Sequence, residues 1–204
     1  MPEVRGPPET AGCELIQEQE LLGQLALGDV RAIETIRAQF AGELQLFCRR
    51  MVYDVSLAED IVQDVLMTCL DGNSTTPSRS LRGWLYKLAR NRSIDNLRRM
   101  RPAERLSALK NSSHFFTDAA FPLDPATTPA GKAIKADRAQ RVQLALDAMD
   151  DSLREVIILH FFQGLPREEV AEVIGMSLAG MKARLVKATR LLRRQLQSLD
   201  DSSL

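Results

Sequence analysis

Residues 164–185 constrain what this chain can fold into more than any other stretch. They read Gly164-Leu165-Pro166-Arg167-Glu168-Glu169-Val170-Ala171-Glu172-Val173-Ile174-Gly175-Met176-Ser177, then Leu178-Ala179-Gly180-Met181-Lys182-Ala183-Arg184-Leu185. Pro166 suits the opening of a short helix, where a missing backbone N–H costs nothing. Val170, Ala171 and Ile174 lie three and four apart and share one face. Gly175 supplies a tight turn, and Ser177 is a good N-cap for a second helix. That second helix gathers Lys182, Arg184, Lys187, Arg190, Arg193 and Arg194 with no acid between them. At 100° per residue, Leu178, Met181, Leu185, Ala188, Leu192 and Leu196 fall in an arc of roughly 80°, and Lys182, Lys187, Arg190 and Arg194 fall in another. A short helix, a glycine turn and a capped basic helix are what a reader of the DNA major groove needs.

The rest of the chain is also helical in pattern. Helices are expected at about 15–27, 30–53, 57–71, 79–100, 132–149 and 151–163, with Asp29 and Ser56 as N-caps and Glu59 completing a capping box with Ser56. No stretch reads as a strand. Residues 102–131 carry Pro102, Pro122, Pro125 and Pro129 among Ser, Asn, Thr and Asp, and read as a flexible linker. Phe115, Phe116 and Phe121 are apolar points within it. The expected fold is all-α: a disordered tail over 1–14, a helical domain over 15–101, the linker over 102–131, and a helix-turn-helix domain over 132–199.

Net charge is zero over 204 residues, but its distribution is uneven. Residues 54–71 hold five acids and no cation, whereas residues 79–101 hold eight cations and a single acid, Asp95. A protein that touched only DNA would have little use for the acidic surface. The basic stretch includes Trp84, the only tryptophan, and Tyr86. Rings among cations suit unpaired DNA, because bases stack on rings while Lys and Arg hold phosphates. Trp84 also suits a role as a core anchor, and the sequence leaves both open; Tyr86 is expected at the surface or partly packed. Cys13, Cys48 and Cys69 are too widely spaced for a metal quartet or a disulfide framework, and read as reduced thiols of a cytoplasmic protein. No apolar run approaches membrane-spanning length and no secretory signal opens the chain, so no membrane insertion is expected. There is no phosphate-binding Gly-Lys-Ser/Thr loop. A hydrolase built on Asp60, Asp64 and His160 lacks a further ligand at useful spacing.

The run Ala58-Glu59-Asp60-Ile61-Val62-Gln63-Asp64-Val65, then Trp84-Leu85-Tyr86-Lys87-Leu88-Ala89-Arg90-Asn91 with Asp95 and Arg98-Arg99, resembles region two of bacterial sigma factors of the extracytoplasmic-function (ECF) group. Leu153 through Val156, Gly164-Leu165, Glu168 through Ala171, Gly175 through Ser177 and Lys182 through Leu185 resemble their region four. The resemblance implies a subunit that directs core RNA polymerase to promoters and starts transcription, with no cofactor and no catalytic or metal-binding residue of its own. It implies that Glu59, Asp60, Gln63 and Asp64 dock on the clamp of the large catalytic polymerase subunit, and that the flap of the other large subunit is also bound. It implies minus-ten promoter contacts by Asn73, Ser74, Arg79, Trp84, Lys87, Asn91, Asp95, Arg98 and Arg99, with a flipped base held near the 72–79 loop. Minus-thirty-five contacts fall to Arg167, Ser177, Lys182, Arg184, Lys187 and Arg190. Anti-sigma factors often hold such proteins inactive. The chain departs from the family pattern at Gly180, Ala183 and Val186. The rival reading is a stand-alone helix-turn-helix regulator, which leaves the acidic and Trp-bearing helices without a task.

Overall fold

Two short backbone breaks decide how the first helices are placed. The computed structural model of the chain describes residues 20–25, 29–70, 80–101, 103–104 and 129–201. Asp29 caps the first long helix, α1 (Val30–Val52), by accepting the Arg31 N–H at 2.9 Å. α1 ends at Tyr53, whose left-handed φ of 58° is unusual for a residue with a side chain. α2 (Val55–Leu70) starts immediately afterwards. Its cap is Asp54, which accepts the Leu57 N–H at 2.9 Å. The expected cap at Ser56 is thus corrected: Ser56 lies inside the first turn, because the left-handed Tyr53 brings the helix start forward. Asp54→Ala is expected to cost about 1 kcal/mol of stability in urea unfolding, and Ser56→Ala less than ~0.5 kcal/mol.

Ser80 opens α3 (Leu81–Arg99) by accepting the Gly83 N–H at 3.1 Å. α1, α2 and α3 pack on one another through Ile36, Leu44, Phe47, Ile61, Val65, Leu81 and Leu85, all essentially without solvent exposure. Each of these residues recurs at three- or four-residue spacing along its helix, so burial follows from periodicity.

α4 (Pro129–Asp147) begins at Pro129 rather than at 132. α5 (Asp151–Ile157) runs into a π-helical turn, Ile158–Phe162. The wider turn is closed by the Gln163 N–H to the Ile158 carbonyl, 3.0 Å, and the Leu165 N–H to the Leu159 carbonyl, 3.1 Å. α6 (Arg167–Ile174) and α7 (Leu178–Asp201) form the expected helix-turn-helix. Gly175 takes the left-handed conformation, φ 69°, and Ser177 Oγ accepts the Gly180 N–H at 3.1 Å. Met181, Leu185 and Ala188 of the expected apolar arc are buried. Gly180 also has a packing reason: a Cβ there would lie 3.1 Å from Met176 Cε and 3.2 Å from the capping Ser177 Oγ.

The two helical sets do not stand apart. α3 packs against α6, and one continuous apolar cluster joins Leu81, Leu85 and Tyr86 to Leu165, Val170 and Val173. No described helix is long and apolar enough to cross a membrane.

Candidate nucleic-acid interface

α3 has two faces of opposite character. Leu81, Leu85, Tyr86, Ala89, Ser93 and Leu97 are buried. On the other side, Trp84, Lys87, Asn91, Asp95 and Arg98 follow one another at three- and four-residue steps and form one stripe. Lys87, Asn91, Asp95 and Arg98 are exposed, and Trp84 is half-buried, packed against the core. Trp84 thus packs on the core, as one of the two sequence readings has it, while staying partly accessible to solvent. Asp95 sits 3.8 Å from Arg98, and Arg99 is exposed beside them. Asn73, Ser74 and Arg79, like Cys13 and Phe115, Phe116 and Phe121, lie outside the described residues.

Tyr86 corrects the expectation of surface or partial packing. It is fully buried, edge-on to Phe47 with centroids 5.3 Å apart, and its hydroxyl donates to Gln163 Oε1 at 3.0 Å. Burial pushes its phenol well above the usual tyrosine range. The eight cations of 79–101 also divide. Arg82 donates to both oxygens of Glu43, at 3.0 Å and 2.8 Å for the shortest pairs, and to the Gln163 carbonyl at 2.7 Å. The Glu43 hydrogen bond holds the Arg82 guanidinium protonated more firmly than usual. Arg90 donates to Glu155, Nε to Oε2 at 2.8 Å and Nη2 to Oε1 at 3.2 Å. Lys87, Arg92, Arg98, Arg99 and Arg101 are left exposed.

The helix-turn-helix presents Ala179, Lys182, Ala183, Val186, Lys187 and Arg190 to solvent along α7, with Arg167 exposed at the start of α6 and Ser177 at the cap. Arg184 is different: it is partly covered, and its Nη1 lies 3.4 Å from Glu155 Oε1. Phe161, which the sequence reading did not single out, is 58% exposed. It lines a cleft of about 240 Å³ with Arg167, Val186 and Arg190. An aromatic in an apolar run gives no local sign that a π turn will rotate it outward.

The acidic helix α2 carries Glu59, Asp60, Gln63 and Asp64 exposed on its outer side. Glu59 Oε1 accepts from Gln45 Nε2 at 2.8 Å, which ties α2 to α1. Between the two helices runs a groove of about 670 Å³, lined by Arg37, Gln45, Glu59, Gln63, Met67 and Leu70 among others. Asp60 and Asp64 stand one turn apart outside its lining. Met67 is 59% exposed at its edge. Arg37, Met67 and Leu70, which the sequence reading did not single out, line the same groove as Glu59 and Gln63.

Burial pushes the Cys48 and Cys69 thiols up to about 12, so both stay protonated near neutral pH. Among the described residues no group of His, Cys, Asp and Glu is arranged to hold a metal ion. His160 Nδ1 lies 3.0 Å from the Leu165 carbonyl oxygen, within the turn before α6.

A capped basic reader helix in one helical unit and an aromatic–basic stripe in another define a helix-turn-helix transcription protein. The Sigma-70 region 2 family model matches residues 38–102, and the Sigma-70 region 4 family model matches residues 139–192. The chain belongs to the sigma-70 family, within its ECF group, and is a sigma factor that directs transcription initiation. It is similar to the ECF RNA polymerase sigma factor SigW of Bacillus subtilis, 25% identical over 177 residues that span 86% of this chain and 95% of the relative. It is 29% identical to SigK of Mycolicibacterium vanbaalenii, over 85% of this chain and 86% of that one. The fold is similar to that of CnrH in complex with the cytosolic domain of CnrY, with a TM-score of 0.62 and 24% identity, over 92% of this chain and 99% of that one. It is also similar to RpoE of Bartonella quintana in complex with the anti-sigma factor NepR, with a TM-score of 0.57 and 23% identity, over 82% and 98% of the two chains.

Proposed function

We propose that this sigma factor works in the cytoplasm as the promoter-reading subunit of RNA polymerase, with no active centre of its own, and that it divides the task among three surfaces. α2 and the groove beside it dock on the clamp of the large catalytic subunit. The α3 stripe takes the melted minus-ten strand, and α7 reads the minus-thirty-five duplex. The observation that carries this reading is the stripe Trp84–Lys87–Asn91–Asp95–Arg98, exposed on a helix whose opposite face is buried. A plain helix-turn-helix regulator has no use for it. The flap of the second large subunit and an anti-sigma factor complete the expected partners. Reconstitution with core polymerase on genomic DNA, followed by sequencing of transcript ends, tests the reading. Starts clustered behind a shared pair of elements support it. Specific duplex binding by the chain alone, with no added starts, returns it to the stand-alone regulator.

The two DNA surfaces are expected to respond differently to mutation. Lys182 is exposed near the start of the reader helix, where side chains reach base edges. Lys182→Ala is expected to cost about 1–3 kcal/mol in minus-thirty-five binding and to relax preference at one position. Arg184 is assigned mainly to phosphate; Arg184→Ala should weaken all sequences evenly and reduce the salt slope by about one. Competition binding against single-position promoter variants at several salt concentrations distinguishes the two.

Trp84→Ala is expected to impair initiation on closed duplex promoters but to recover on a template with a premelted bubble. Stacking on one ring is worth roughly 1–3 kcal/mol per base, enough to bias strand opening. Abortive-product assays on both templates provide the measurement. An equal defect on both would assign Trp84 to core packing alone.

A further inference from the structure

We propose that the cleft between the π turn and α7 reads a thymine in the minus-thirty-five element: Phe161 and Val186 take the methyl group of one base, and the arginines beside them hold the flanking phosphates. The proposal deepens the assignment of α7 as the reader of that duplex, and rests on it. It starts from two apolar side chains that the fold leaves in water. Phe161 is 58% exposed and Val186 is 50% exposed. They face one cleft of about 240 Å³, which Arg167, Arg190, Arg193 and the buried Leu185 also line.

The backbone holds Phe161 out. In a regular helix it would follow Ile157 and Ile158, both buried, by four and three residues and would share their inward face. The π turn over Ile158–Phe162 breaks that register, and such turns recur at functional sites. His160 steadies the ring. Its imidazole lies 4.9 Å from the Phe161 ring, tilted by 60°, and its Nδ1 lies 3.0 Å from the Leu165 carbonyl oxygen. A ring kept in water forgoes the stabilisation that burial gives, so an apolar patch built in this way marks a contact surface.

Its position and charge fit DNA. At 100° per residue, Lys182, Val186, Arg190 and Arg193 fall within an arc of about 80° on α7, so Val186 shares the face of the expected base reader Lys182. No acidic side chain lines the cleft among the described residues. Arg167, Arg190 and Arg193 make no ion pair among the described residues, which leaves three cations for phosphate oxygens. Between phosphates, the major groove offers one apolar group, the thymine methyl, and Phe is among the side chains that contact it. Neither Phe161 nor Val186 donates or accepts a hydrogen bond. Cytosine placed there would bring its amino group against apolar carbon and lose the water that satisfied it.

The test uses the protein with core polymerase on promoter duplexes from which it initiates. Each thymine of the minus-thirty-five element is replaced in turn by deoxyuridine, which lacks only the methyl group. At one position the replacement is expected to weaken competition binding about fourfold, the equivalent of roughly 0.8 kcal/mol for burying one methyl-sized group. Phe161→Ala and Val186→Ala should each bind the thymine duplex more weakly than the unaltered protein, and should bind the thymine and uracil duplexes equally. Phe161→Leu keeps apolar contact and should retain part of the preference. Arg190→Ala should weaken both duplexes alike and lower the salt slope by about one. Circular dichroism and core association should not change in Phe161→Ala, because its ring is exposed. An element without a sensitive thymine, or a sensitivity that survives both alanine variants, would overturn the thymine contact and leave α7 as the reader. Weakened core association by Phe161→Ala, with thymine preference intact, would overturn it in favour of a polymerase segment in the cleft. Polymerase carrying the unaltered protein but indifferent to scrambling of the whole minus-thirty-five element would overturn the α7 reading itself, and the thymine contact with it.

Discussion

Replacing Asp60 and Asp64 together by lysine is expected to weaken association with core polymerase by about 3 kcal/mol, roughly a hundredfold, while leaving the fold intact. Both acids are exposed and stand one turn apart on α2. Neither side chain makes an ion pair among the described residues, so their removal leaves no internal charge stranded. Surface substitutions of this kind normally change stability by no more than about 0.5 kcal/mol. The cost therefore arises at the partner: a basic docking surface now meets cations, and like charges across an interface cost several kcal/mol. Fluorescence polarisation of labelled protein against core polymerase, at low and physiological salt, measures it. The defect should shrink as salt rises, because these charges lie at the rim of the groove. Met67→Ala is the companion variant: its deficit should be salt-independent, since it removes apolar contact at the groove edge. Unchanged core binding by the double lysine variant would move the docking surface away from α2.

The parts of this molecule that were legible in the sequence are those fixed within one or two helical turns. Gly175 and Ser177 announce the turn and cap of the helix-turn-helix because their chemistry acts on the next few backbone groups; the observed φ of 69° and the 3.1 Å cap bond follow from it. The acidic and basic segments are likewise local facts of composition. The cap of α2 was misplaced by two positions because Asp54 and Ser56 are both good caps. The choice between them depends on Tyr53 turning left-handed, which a non-glycine residue does not advertise. Tyr86 among cations reads as a surface ring. What buries it is Phe47 on α1 and Gln163, 77 residues away beyond a π turn. Arg90 and Arg184 look identical to their exposed neighbours until Glu155 is brought between them, and that requires the two helical sets to close on one another. Such long-range pairs leave no periodicity to detect. The same holds for Phe161, whose exposure depends on the π turn.

Truncating Phe47 to alanine is expected to be the most destabilising of these substitutions, at about 3–5 kcal/mol. Phe47 is completely buried between α1 and α3, and its ring meets Tyr86 edge-on at an interplanar angle of 87°. The variant loses the transfer free energy of the ring and opens a cavity that rigid helices on either side cannot fill by collapse. It also removes the wall that fixes Tyr86, whose hydroxyl bonds Gln163 and whose ring lies under the Arg82 guanidinium at 5.5 Å. The damage should therefore reach the seam between the two helical units as well as the three-helix core. Domains of this kind are stable by only about 5–15 kcal/mol in total. At roughly 2–4 °C per kcal/mol, the midpoint should fall by about 6–20 °C in calorimetry. Phe47→Leu, which keeps most of the volume, should cost less than ~1.5 kcal/mol. Tyr86→Phe isolates the polar part: it keeps the ring contact, loses the bond to Gln163, and should cost about 1 kcal/mol. If Phe47→Ala lowers stability no more than Tyr86→Phe does, the α1–α3 contact is not the centre of the core, and the buried position of Tyr86 must be supported from the Gln163 side instead.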